Sequence, residues 1–442
     1  MKSISPQLVK FAEQLVHQGK KSGVDEIQAA VSEGREFDVK VLNGEVEKLV
    51  EADSRSMSLK VIIDHRVATG STSDFSEDTL NYLLANTIER ARLSGSDPFS
   101  GLPDFEEIKI TGDQLELVDP AIPAMTPETK IGKARELESI CLESQKVGKS
   151  YGASFSTYAG NLLLVNSNGF SNGYSRTHCS HGITLQAGEG DHLFDDGWYD
   201  SARHLRDLAS VETIAEKAVR RVTRMIGARK IETTDVPVIF EPQETASLIQ
   251  FFIECVDGRN IYLNNSFLTG KLGEKIASPL LSIADNPHLP GGIGSRPFDG
   301  EGVPTRFVQI VQDGKLDSYL LNTYEARKLN MKSTGHASGV HNVSLKSGGD
   351  SPESIIKSVD RGLLLTDTIG FGRIPSTGDI SQGAFGMWIE NGELAFPVAE
   401  ITISGNLGTM LRGIEMIGND PEKNRSVSGP TIKINAMTIS GK

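Results

Sequence analysis

The feature that most restricts this chain is its punctuation. Short apolar segments of period two are separated by Asn43-Gly44, Asn168-Gly169, Asn172-Gly173, Asp313-Gly314 and Asn391-Gly392. Such pairs accept the left-handed backbone that two-residue hairpin turns require. A chain marked this way is expected to fold into antiparallel hairpins, with helices between them. Strands are expected at 26–31, 36–41, 46–51 and 56–63, then at 151–158, 161–166, 173–188 and 191–202, and at 236–240. Further hairpins should join 305–312 to 315–321 and 385–390 to 393–398. Helical periodicity marks 6–22, 78–93, 127–147, 210–226, 243–256 and 352–365.

The order helix, strands, helix occurs twice, over 6–93 and 127–226, which allows an old duplication with little residue identity left. The expected fold class is α+β: antiparallel sheets flanked by helices in the N-terminal part, then a predominantly antiparallel β domain with a buried helix. The expected units are an N-terminal α+β domain at 1–95 and a connection at 96–126. A middle α+β region follows at 127–230, and a β-rich domain at 231–442. The connection is identified by Pro98, Pro103, Pro120 and Pro123 among Gly, Ser and Asp.

A length of 442 residues gives cores large enough to need no metal or disulfide staple. Lys and Arg number 45 against 58 Asp and Glu, a net charge of −13, which disfavours direct contact with nucleic acid. The three cysteines, Cys141, Cys179 and Cys255, are widely spaced and fit a reducing cytosol. The first residues lack a signal-peptide pattern and no apolar run reaches membrane-spanning length, so a cytoplasmic chain without membrane contact is expected.

Most apparent chemical motifs fail on context. Gly169-Phe-Ser171-Asn-Gly173 matches a nucleophile elbow but lies between two strands, where the elbow needs a following helix. His178 and His181 would point to opposite faces of a strand and read as partly exposed strand residues, not metal ligands. His288, His336 and His341 lie in loops without helical ligand spacing, although Thr334-Gly335-His336 could edge a pocket. Gly291-Gly-Ile-Gly294 has no helix after it, so no dinucleotide is implied. The helix at 243–256 is apolar around most of its circumference, yet Gln243, Ser247, Gln250 and Glu254 form one polar stripe. That stripe either lies under a solvated loop or lines a cavity, and the pattern does not choose.

Several ordered motifs carry a resemblance. They are Pro297-Phe-Asp-Gly-Glu-Gly302, Ala326-Arg-Lys-Leu329, Lys332-Ser-Thr-Gly-His-Ala337 and Gly378-Asp-Ile-Ser-Gln-Gly383. Trp388-Ile-Glu-Asn-Gly-Glu393, Pro397-Val-Ala-Glu-Ile-Thr-Ile-Ser-Gly-Asn406 and Ile417-Gly-Asn-Asp420 follow. Ala218-Val-Arg-Arg221 and Ala228-Arg-Lys230 extend the likeness toward the N-terminus. With these the chain resembles the PmbA (TldE) branch of the TldD/PmbA family, once labelled modulator of DNA gyrase.

The resemblance implies a zinc metallopeptidase scaffold acting on peptides and unfolded proteins. In the TldD branch a helix carries HExxxH and a C-terminal cysteine completes the zinc site. Here the matching positions are Ile249, Gln250 and Glu254, and Asn424-Arg-Ser-Val-Ser-Gly429 has no cysteine. Isoleucine has no donor atom, and glutamine takes up no proton at neutral pH. The resemblance therefore implies a chain with no catalytic residues and no bound cofactor, paired with a TldD-type subunit that holds zinc. Asp299, Glu301, Arg327, His336, Asp379 and Glu390 are its candidate pocket or interface residues. Two other readings stay open: a homodimeric regulatory protein without a peptidase role, and an unusual metal site joining Glu254 to His336 or His341.

Overall fold

The computed structural model describes residues 6–190, 192–423 and 425–441. Met1–Ser5, where no signal-peptide pattern was expected, fall outside them, as do Asp191 of the strand expected at 191–202 and Asn424.

Two similar units make the N-terminal half. The first is α1 (Pro6–Lys21), β1 (Glu26–Leu42), β2 (Glu45–Ile63), β3 (Arg66–Thr72) and α2 (Glu77–Leu93). After a connection containing the single turn α3 (Ala121–Ala124), α4 (Pro127–Leu142) opens the second. It continues with β4 (Val147–Asn166), β5 (Ser171–Glu189), β6 (His192–Ala202) and α5 (Val211–Thr223). All six strands share one antiparallel sheet in the order β3-β2-β1-β4-β5-β6, which reads outward symmetrically from the β1–β4 seam.

Segments expected as separate strands prove continuous. Residues 26–31 and 36–41 are one strand, as are 46–51 with 56–63 and 151–158 with 161–166. At the seam Gly34 pairs with Gly160. A Cβ on either glycine would collide with the Tyr158 ring, at 2.6 Å and 2.2 Å from its hydroxyl. The glycines make room for an aromatic side chain within a strand and do not break it.

The hairpins turn as expected at three pairs. Both central residues have positive φ at Asn43-Gly44, Asp313-Gly314 and Asn391-Gly392. Asn172-Gly173 departs from this: it lies inside β5, opposite Leu164 and Leu163.

The C-terminal half begins with β7 (Thr234–Phe240), α6 (Pro242–Val256) and the short α7 (Gly258–Tyr262). Then come β8 (Ile283–Asp285), β9 (Val308–Gln312), β10 (Lys315–Leu316), α8 (Thr323–Lys328), β11 (Val343–Leu345) and α9 (Pro352–Lys357). The last elements are β12 (Arg361–Ile369), β13 (Arg373–Ile374), β14 (Asp379–Glu390), β15 (Glu393–Asn406), α10 (Leu407–Arg412), β16 (Ile414–Ile417), β17 (Val427–Ser428) and β18 (Ile432–Ser440). One sheet runs β10-β9-β8-β11-β17. The other closes on itself, because β12 pairs both β7 and β14 while β18, β15 and β14 follow β7. Helix α6 is embedded in a core that both sheets share, where Phe251, Phe252 and Cys255 meet Val238, Ile310, Val343 and Leu363.

The helix expected at 352–365 stops at Lys357. Residues 362–365 instead form the buried part of β12, parallel to β7. A short run such as Gly362-Leu-Leu-Leu365 has no period that separates strand from helix, and pairing with β7 decides it.

Candidate functional site

Helix α6 starts where Pro242 takes the first helical turn, a position that needs no amide proton. Its apolar residues Leu248, Ile249, Phe251, Phe252, Ile253, Cys255 and Val256 are buried. The polar stripe faces outward, and both sequence readings of it hold in part. Gln243, Ala246 and Gln250 line a cleft of about 450 Å³. Ser247 lies under a loop, where Arg373 donates to its carbonyl at 2.8 Å and its hydroxyl at 2.7 Å.

The opposite wall of the cleft comes from the second unit and from separate segments of the C-terminal half. Tyr199 and Ser201 reach in from β6, Ile293 from the Gly-rich loop, Asp367 from β12, and Arg425, Ser426 and Val427 from the segment entering β17. Arg203, buried at 5 % exposure, fixes the Gly-rich loop. It donates to the carbonyls of Gly292 at 2.9 Å, Ile293 at 2.6 Å and Ser295 at 3.1 Å. Burial without a carboxylate partner pulls its guanidinium down to about 10.

The cleft floor carries Glu244, 6 % exposed, whose Oε2 accepts from the Thr368 hydroxyl at 2.9 Å. Burial raises its pKa to about 7, opposed by the Thr368 hydrogen bond and assisted by neighbouring Asp367. Burial also raises Asp367, with Asp196 adding to the effect. Such a carboxyl can donate as well as accept near neutrality.

The three positions that the resemblance matched to the HExxxH motif separate. Ile249 is buried beneath the C-terminal segment, its Cδ1 3.0 Å from where a Cβ on Gly429 would stand. Gln250 and Glu254 are exposed. Among the described residues no imidazole or thiolate lines the cleft, and the ligating side chains there are the Glu244 and Asp367 carboxylates. This donor set does not fit the zinc site of a metallopeptidase, which takes imidazole or thiolate ligands around an open position.

The other candidates fall elsewhere, and none lines this cleft. Asp299 is buried and closes a turn, accepting from Glu301 N at 2.9 Å, Val303 N at 3.0 Å and Ala337 N at 3.0 Å. Glu301 accepts from Thr323 N at 3.0 Å and faces Lys60 at 3.6 Å. Together they present Phe298 to Phe170 and Tyr174 of the first sheet. Arg327 pairs with no carboxylate: it donates to the carbonyls of Phe99 at 3.2 Å and Leu102 at 2.7 Å, strapping the long connection down. Asp379 is exposed and caps a turn through Thr377 and Asn406. Glu390 is exposed at a hairpin end.

Glu254 meets neither His336 nor His341. Both histidines converge on Asp285 instead, a residue the sequence reading missed. His181, expected to be partly exposed, is 3 % exposed and packs against Phe155, while His178 is half-buried.

A three-part scaffold whose central helix lies at a cleft is the architecture of a metallopeptidase family. Family models named PmbA/TldA metallopeptidase domain 1, central domain and C-terminal domain match residues 28–93, 120–226 and 233–441. The metalloprotease PmbA of Escherichia coli O157:H7 is 34% identical over 95% of this chain and 93% of its own length. A solved structure from Bacteroides thetaiotaomicron, titled as a modulator of DNA gyrase, covers 100% of both chains at TM-score 0.93 and 28% identity. TldE from Thermococcus kodakarensis shares the fold at TM-score 0.84 and 22% identity, over 98% of this chain and 100% of that one. The chain belongs to the PmbA/TldD metallopeptidase family. No helix among the described residues is long and apolar enough to cross a membrane.

Proposed function

We propose that this chain is the non-catalytic, TldE-type subunit of a cytoplasmic TldD/TldE metallopeptidase. The TldD-type partner supplies zinc and the general base through its HExxxH helix. This chain supplies a wall of the path taken by peptides and unfolded proteins. One observation carries the reading: the cleft beside α6 is polar, yet none of the described residues that line it is a histidine or a cysteine.

The cleft chemistry supports peptide contact without cleavage. Gln243, Gln250 and Ser426 can both donate and accept, as backbone amides require. Strand β6 is the edge of the six-stranded sheet and contributes Tyr199 and Ser201 to the cleft. An extended peptide can be held at such an edge by main-chain hydrogen bonds, without its sequence being read.

The test is cleavage of an unfolded protein by three samples: the purified chain, an HExxxH-bearing paralogue, and the two coexpressed. The expected result is a stable complex with chelator-sensitive activity and no cleavage by this chain alone. Chelator-sensitive cleavage by the chain alone would overturn the assignment.

A further inference from the structure

The described residues hold one group of side chains whose metal-ligating atoms lie in mutual reach. It comprises Asp285, His336 and His341, all buried, with ligand atoms within 4.8 Å of one another. Asp285 ends β8. The two histidines sit on the loop between α8 and β11, and β11 pairs beside β8. Asp285 Oδ2 stands 2.9 Å from His336 Nε2 and 2.9 Å from His341 Nδ1. It also accepts from His341 N at 2.9 Å, while Oδ1 accepts from Asn342 N at 2.7 Å.

The surroundings of His336 set its tautomer. Its Nδ1 lies 3.0 Å from the Thr334 carbonyl and 2.9 Å from the Thr334 hydroxyl. That hydroxyl already accepts from Leu321 N at 2.7 Å and lies 3.2 Å from the Leu321 carbonyl, which takes its proton. A carbonyl only accepts, so Nδ1 carries the hydrogen. His336 Nε2 and Asp285 Oδ2 then face each other with lone pairs, and a cation must stand between them. The choices are a second imidazole proton or a metal ion. An imidazole with one nitrogen toward a carboxylate and the other N–H on a backbone carbonyl has the outer-shell pattern of a metal ligand. His341 brings Nδ1 to the same point.

We propose that Asp285, His336 and His341 form a structural site for one divalent transition-metal ion of the zinc type. Two imidazoles and a carboxylate suit such ions. Ligands about 2.1 Å from a shared ion stand about 3.4 Å apart in tetrahedral geometry, so the 2.9 Å contacts open by about half an ångström on loading. Burial of all three ligands keeps a peptide substrate away from the ion, which gives it a fastening role and no part in hydrolysis. It ties the loop ending at Asn342 to β8, and Asn342 in turn accepts from Gly294 N at 2.9 Å, next to Ile293 of the cleft. The inference stands apart from the proposed function, since it concerns this chain alone.

The test uses the full-length chain, tag removed, purified in metal-replete buffer without chelator. Elemental analysis is expected to find about one zinc equivalent per chain. Chelation should lower the melting temperature by more than about 5 °C, and zinc should restore it. Cobalt loading should give visible ligand-field absorption. His336→Gln and His341→Gln should each lose the stoichiometric ion, while Glu254→Ala keeps it. If either histidine variant fails to fold, the wild-type metal content and cobalt spectrum still decide. Less than about a tenth of an equivalent after reloading, with melting indifferent to zinc and chelator, overturns the proposal and leaves the proton as the bridging cation. Full metal retention in both histidine variants overturns it as well.

Discussion

The C-terminal half contains two polar centres that differ in what each lacks. The cleft along α6 is open to solvent and joins residues from several parts of the fold, but it offers carboxylates and amides without an imidazole. The Asp285 centre gathers two imidazoles on one carboxylate, but it is buried away from any peptide. Hydrolysis needs ligands and access at one point, and each of these centres offers one of the two. What remains at the cleft is suited to holding a chain, and what remains at Asp285 is suited to holding the fold.

The sharpest way to break this contrast is Asp285→Ala. It leaves two buried imidazoles and two backbone amides without their acceptor, and should cost about 3–5 kcal/mol by chemical denaturation. A loss under about 1 kcal/mol would show that the centre fastens little. Arg203→Met comes next, at about 2–4 kcal/mol, because several buried carbonyls of the Gly-rich loop lose their donor. Its second readout is faster hydrogen exchange at 291–296.

The two centres should also respond to pH with opposite sign. Glu244 has an ordinary value near 4.5, raised to about 7 in the fold. Between these values the folded chain holds a proton that the unfolded chain has released. Stability therefore falls as pH rises from about 4.5 to about 7 and is level above. Glu244→Gln should remove that slope, on the order of 2–3 kcal/mol. At Asp285 burial acts upward, but the hydrogen bonds from His336 and His341 outweigh it and hold the carboxyl below its ordinary 3.8. Its contribution is complete above that value and is lost as pH falls below it. Denaturation curves from pH 3 to pH 8 for wild type and Glu244→Gln separate the two effects. An unchanged slope in the variant would assign it elsewhere.

Gly429→Ala tests the packing over the degenerate helix. Its Cβ would stand 2.6 Å from Thr245 Cγ2 and 3.0 Å from Ile249 Cδ1, costing about 1–3 kcal/mol. Adding Thr245→Ser removes the nearer methyl and should recover part of the loss. The smallest effect belongs to Asp379→Ala. This exposed turn residue should leave the melting temperature unchanged within about 2 °C and leave assembly with a partner intact.

The sequence made some of this legible for definite reasons. Asn43-Gly44, Asp313-Gly314 and Asn391-Gly392 marked hairpins because both residues must take positive φ, a local requirement. Gly34 and Gly160 misled because their reason is a ring on another residue, Tyr158, and not their own backbone. The run 362–365 could not declare itself a strand before β7 lay beside it. The helix that carries Ile249, Gln250 and Glu254 was legible because its apolar periodicity is local to one element. The Asp285 centre was not readable, because its members stand 51 and 56 residues apart and meet only through the β8–β11 pairing.

The symmetric sheet has a consequence for biosynthesis. The tip of the β1–β2 hairpin is clasped by α4 of the second unit, with Glu138 accepting from Gly44 N at 2.8 Å and Arg135 donating to Gly44 O at 2.9 Å. The β4–β5 tip reaches back, where Asn168 donates to Glu26 at 3.3 Å and to the Pro103 carbonyl at 3.0 Å. Strand β1 therefore leaves the ribosome well over a hundred residues before β4 has fully emerged to cover its edge. At ordinary elongation rates that is a wait of roughly ten seconds. During it a strand of 17 residues stands unpaired on one side. The newborn first unit is a natural client for a chaperone, and a chain halted in the long connection should be found in the insoluble fraction.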